Sequence, residues 1–73
     1  MNIPTEICRL MAEREMTQTE LARRSGIARP NISAMLSGSR PVTYNHLVPI
    51  LEALEPSADV VKALFAEVER ASK

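Results

Sequence analysis

Apolar residues recur along this chain at helical intervals, in five stretches separated by short polar or glycine- and proline-bearing breaks. From about Pro4 to Glu15, Ile7, Leu10 and Met11 fall at i, i+3 and i+4, followed by Arg14, and Pro4 sits in a first turn where no intrahelical N–H is needed. Thr17-Gln18-Thr19-Glu20 reads as a capping box. In it the Thr17 hydroxyl accepts from the Glu20 N–H and the Glu20 carboxylate reaches back to the Thr17 N–H. A second helix follows through Leu21, Ala22 and Arg24 to Ser25, where Gly26 supplies the left-handed residue that ends it. Ile32, Met35 and Leu36 define a short third helix of about nine residues from Arg29, with Pro30 in its first turn, an uncapped Ala28 before it and Gly38 after it. Thr43 or Asn45 caps a fourth helix bearing Leu47, Ile50, Leu51 and Leu54. Pro49 predicts a late start or a kink there. Ser57 caps a fifth, with Val60, Val61, Leu64, Phe65 and Val68 at i, i+1, i+4, i+5 and i+8.

Composition agrees with a helical bundle. Hydrophobic residues make up 45% and charged residues 25%, values of a folding globular chain, and only Tyr44 and Phe65 are aromatic, so the core is aliphatic. The expectation is an all-α, compact five-helix unit spanning residues 1–73, with a core over 5–55 and a C-terminal helix over 57–71. At 73 residues the chain holds one domain at most. Cys8 has no second thiol for a disulfide or zinc site, and His46 has no partner at ligand spacing, so no metal or cofactor is expected; Cys8 reads as a small apolar packing residue or an unreactive surface thiol and His46 as surface or half-buried. There is no membrane-length apolar run and no secretion-type start, which points to the cytoplasm.

Nine basic residues balance nine acidic ones, but unevenly. Residues 17–48 set Arg23, Arg24, Arg29 and Arg40 against Glu20 alone, a net +3 between ends of −1 and −2. Phosphate loops, paired acid and base groups and nucleophile arrangements are lacking, so an enzyme is not expected.

The second helix, the tight Gly26-Ile27-Ala28 turn and the short third helix have the form of a helix-turn-helix. Met16-Thr17-Gln18-Thr19-Glu20-Leu21-Ala22-Arg23-Arg24-Ser25-Gly26-Ile27, with Ile32-Ser33 and Ser37-Gly38, resembles the Cro and phage-repressor-like helix-turn-helix family, the xenobiotic-response-element type. The resemblance runs without gaps from about Ile7 to Leu54. It implies a lambda-repressor-like DNA-binding fold and double-stranded DNA as partner.

Carried onto individual residues, the resemblance puts Thr17 and Gln18 beside a phosphate at the start of helix two. Arg29, Pro30, Asn31, Ser33 and Ala34 take base-facing positions on helix three, and Ile32 and Met35 buried ones. Ser37, Ser39, Arg40, Tyr44 and Asn45 match the loop and helix-four start that grip the adjacent backbone. Arg29 is the leading specificity candidate, because a guanidinium pairs in bidentate fashion with guanine O6 and N7. Arg23 and Arg24 read equally well as a solvated face. Two positions depart from the family pattern: Ala28 stands where a Ser or Thr cap is usual, and Met11 where an arginine commonly pairs with the helix-two glutamate.

The function expected is a sequence-specific regulator of bacterial or phage type, acting as a homodimeric repressor on a palindromic operator. Val61, Leu64, Phe65 and Val68 form a candidate dimer interface, or else simply cover the core. The rival expectation is an antitoxin or inhibitor that mainly binds a partner protein, a toxin or another regulator, with DNA binding secondary.

Overall fold

The computed structural model describes residues 2–71 and consists of α1 (Ile3–Glu13), α2 (Gln18–Ser25), α3 (Arg29–Ser37), α4 (Tyr44–Leu54) and α5 (Ala58–Ala71). Each helix turns its apolar stripe inward. Ile7, Leu10 and Met11 of α1, Leu21 of α2, Ile32 and Met35 of α3, Leu47, Ile50, Leu51 and Leu54 of α4, and Leu64 and Val68 of α5 join in one buried cluster. Helix α2 packs on α3 and α4, α1 on α3 and α5, and α4 on α5, within an envelope of 30 × 25 × 18 Å. Leu21, fully buried, is the apolar contribution that ties α2 into this core.

Local chemistry sets the helix ends. Asn2 caps α1, its Oδ1 accepting from the Thr5 N–H at 2.9 Å, and Pro4 lies in the first turn. The helix stops at Glu13 rather than Glu15, because Glu15 takes a left-handed conformation (φ 51°). Thr17 caps α2 with its hydroxyl, 3.1 Å from the Glu20 N–H. The reciprocal half of the expected box does not form: the Glu20 carboxylate is engaged by Arg23 and Arg24 instead. Charged donors make the stronger hydrogen bonds, so the arginines win over the backbone N–H.

Helix α4 begins directly after Thr43, so of the two outcomes expected from Pro49, a late start or a kink, the late start does not occur. Pro49 lies inside the helix, and its missing N–H leaves the Asn45 carbonyl without its usual donor. The side chain of Thr43 makes no capping bond; its Oγ1 lies 3.2 Å from Nδ1 of half-buried His46. Burial of Leu47, Ile50, Leu51 and Leu54 holds this helix together despite both losses.

Arg14 ties the bundle across its ends. Its Nε donates to the Leu54 carbonyl, Nη1 to the Leu10 carbonyl at 3.2 Å and Nη2 to the Glu55 carbonyl at 3.4 Å. One guanidinium thereby bonds carbonyls at the C-termini of both α1 and α4 and places positive charge where both helix dipoles are negative.

Candidate nucleic-acid interface

The turn between α2 and α3 occupies three residues. Gly26 (φ 76°) takes the left-handed conformation and its N–H closes α2 on the Ala22 carbonyl at 2.9 Å. Ile27 packs against the core, its N–H donating to the Ser25 hydroxyl at 3.3 Å. Ala28 (φ −58°, ψ 138°) contributes no side-chain cap, so α3 starts on backbone bonds from Asn31 and Ile32 to the Ala28 carbonyl. Only Ile32 and Met35 of α3 are fully buried. With about 100° of rotation per residue, Pro30, Ser33, Ala34 and Ser37 then form the stripe opposite the core, with Arg29 on one flank and Asn31 on the other.

Gly38 (φ 86°) ends α3, and the chain folds back so that the Ser39 and Arg40 N–H groups both donate to the Ala34 carbonyl, at 3.0 and 3.2 Å. The Ser37 and Ser39 hydroxyls donate to the same oxygen, at 3.1 and 3.2 Å, and lie 2.9 Å from each other. These two serines brace the loop. The bracing holds Arg40 against α3, where its Nη1 donates to Asn31 Oδ1 at 2.8 Å.

Charge concentrates on the same surface. Arg23 and Arg24 both pair with Glu20, whose carboxyl their hydrogen bonds hold down at about 2, so one of their two positive charges is offset. Between Glu20 and Glu52 the sequence carries no further carboxylate. Arg29 is exposed with no ion-pair partner among the described residues, and Arg40 meets only an amide oxygen. The arginines of the basic middle segment that have no carboxylate partner among the described residues are therefore the two that flank α3.

A short second helix, a three-residue glycine turn and a third helix with a polar, cationic outer face are the parts of a helix-turn-helix. Residues 6–57 match the Cro/C1-type HTH DNA-binding domain. The chain belongs to this family. No curated protein and no solved structure matches it at a significant level. The family match ends before α5, so that helix stands outside the shared pattern.

Within this Cro/C1-type domain, Thr17 is exposed and Gln18 half-buried at the start of α2, where the first backbone N–H groups have no helical acceptor. Asn45 is exposed in the first turn of α4. Tyr44, expected to face nucleic acid, is engaged by α5: its ring stacks on Phe65 (centroids 5.4 Å, interplanar angle 17°) and its hydroxyl bonds to Glu69. Among the four apolar residues named as a candidate interface, Leu64 and Val68 are closed inside the chain's own core, and only Val61 and Phe65 have surface to offer. They line a groove with Val48, Leu51 and Pro56, rimmed by Glu52 and Glu55. No helix among the described residues is long and apolar enough to cross a membrane, and no three potential metal ligands gather among them.

Two contacts escaped the reading of the sequence. The Asn31–Arg40 pair spans nine residues and a loop whose path follows from Gly38 and the serine bonds, so no spacing rule reveals it. Arg14, which braces the ends of α1 and α4 behind α2, gave no signal beyond its helical register.

Proposed function

We infer that this Cro/C1-type protein is a sequence-specific transcriptional regulator, a homodimeric repressor that occupies a palindromic operator and blocks polymerase. The observation that carries the reading is the outer face of α3, where Arg29 and Arg40 stand without carboxylate partners beside the small polar side chains of Asn31 and Ser33. Small side chains let a helix lie deep in the major groove, and the flanking guanidiniums supply phosphate attraction or guanine contacts. At nine residues, α3 is about 13 Å long and reaches few base pairs, so useful selectivity calls for two copies on half-sites about 34 Å apart.

The groove of Val48, Leu51, Val61 and Phe65 is the surface proposed for that second copy. Leu64 and Val68 support it from within the core.

Selection of bound duplexes from a random pool tests the reading, and the outcome expected is an enriched inverted repeat. Arg29→Ala is expected to cost about 1–3 kcal/mol on the enriched site and to relax one base position, with little effect on scrambled duplexes. A pool that enriches nothing, or equal losses on matched and scrambled DNA, contradicts it.

A further inference from the structure

We propose that Arg40 is a positioning residue that fixes the Asn31 side-chain amide so that only its NH2 group faces outward, which makes the α3 surface a reader of guanine rather than adenine. This rests on the DNA-binding reading above and assigns the base class it selects. A guanidinium has donors and no acceptor, so the amide atom 2.8 Å from Arg40 Nη1 is the oxygen, and the NH2 must point the other way. A free asparagine reads adenine by using both ends of its amide, the oxygen accepting from N6 and the nitrogen donating to N7. With one lone pair of Oδ1 held by Arg40, the oxygen is turned toward that guanidinium and competes poorly for adenine N6, which disfavours the bidentate pairing.

The rest of the surface leans in the same direction. Arg29 is donor-only, and no carboxylate lies nearby to accept from adenine N6 or cytosine N4. Guanine presents two acceptors, N7 and O6, in the major groove, and is the base whose edge suits such a face. Arg40 keeps its remaining N–H groups for an adjacent phosphate, so backbone contact and amide orientation are coupled through one side chain.

The test uses the full chain and duplexes enriched from a random pool, with the base pair read by Asn31 located as the one whose preference disappears in Asn31→Ala. Binding is compared for guanine and adenine at that position. The wild type is expected to favour guanine by about tenfold or more. Arg40→Ala should bring that ratio close to one or invert it, Arg40→Lys should retain a preference for guanine, and in an Asn31→Ala background Arg40→Ala should leave the ratio unchanged. In the free protein, Arg40→Ala should also shift the Asn31 side-chain amide resonances. Equal weakening of guanine and adenine duplexes by Arg40→Ala would reduce Arg40 to a phosphate contact and overturn the inference, as would unmoved amide resonances. Failure of the wild type to enrich any duplex is a different result, which removes the DNA-binding reading itself.

Discussion

Tyr44 shows how a single exposed residue can join two helices through its ring and its hydroxyl at once. Its hydrogen bond to Glu69 holds the phenol proton, and burial and the nearby carboxylate act in the same direction, so its pKa lies above the ordinary 10. The folded value exceeds the unfolded one. The contribution of this contact is therefore complete below about pH 10 and is lost as pH rises through the folded value. With one tyrosine and no tryptophan in the chain, near-ultraviolet absorbance follows this group alone. The native protein should titrate with a midpoint above 10, and Glu69→Gln should lower it; a native midpoint at or below 10 would break the link between α4 and α5. Glu20 is the opposite case. Its carboxyl, lowered to about 2 by Arg23 and Arg24, contributes above the unfolded carboxylate range and loses that contribution as pH falls toward 2. Near pH 7 the Glu20 carboxylate therefore offsets one of these two positive charges, and Arg29 and Arg40 are the arginines of this segment with no carboxylate partner among the described residues.

The ends of the helices decide how α3 is presented. Gly26 and Gly38 need their positive φ, and nothing lies within 4 Å of where a Cβ would sit, so substitution strains only the backbone. Gly26→Ala should destabilise the fold by about 1–2 kcal/mol in denaturant unfolding. Ala28→Ser should act in the reverse sense, adding about 1 kcal/mol, because Ala28 holds the N-cap position with a non-helical backbone (φ −58°, ψ 138°) and its side chain offers no acceptor. No gain from Ala28→Ser would mean that Pro30 alone sets the first turn. Such local features explain what the sequence made legible. Thr17, Gly26, Gly38 and the aliphatic positions of all five helices act over a few residues, so their spacing carries the information. Contacts that depend on packing were hidden: Arg14 reaches carbonyls at Leu54 and Glu55, forty and forty-one residues away, Tyr44 finds Phe65 only once α4 meets α5, and Asn31 finds Arg40 only after the loop has closed. Sequence also overestimated the reach of Glu20 toward Thr17, since two neighbouring guanidiniums outcompete a backbone amide.

Across the whole molecule, α1, α4 and α5 form the support and the helix-turn-helix the working edge. The apolar residues of α5 are divided between these tasks, with Leu64 and Val68 filling the core while Val61 and Phe65 border the groove beside Val48. Val48 is 42% exposed, so Val48→Asp should leave the fold intact. If the groove receives a second copy, this change should give a monomer in sedimentation and weaken binding to an inverted repeat more than to a single half-site; a dimer that survives the substitution would place the interface elsewhere. The central claim concerns the opposite edge, and backbone amide shifts recorded while an enriched duplex is added test it most directly. The account predicts that residues 17–18 and 29–40 move together and in proportion to occupancy, while the buried face of α5 around Leu64 stays still. Saturating duplex that leaves the amides of α3 unmoved would contradict it.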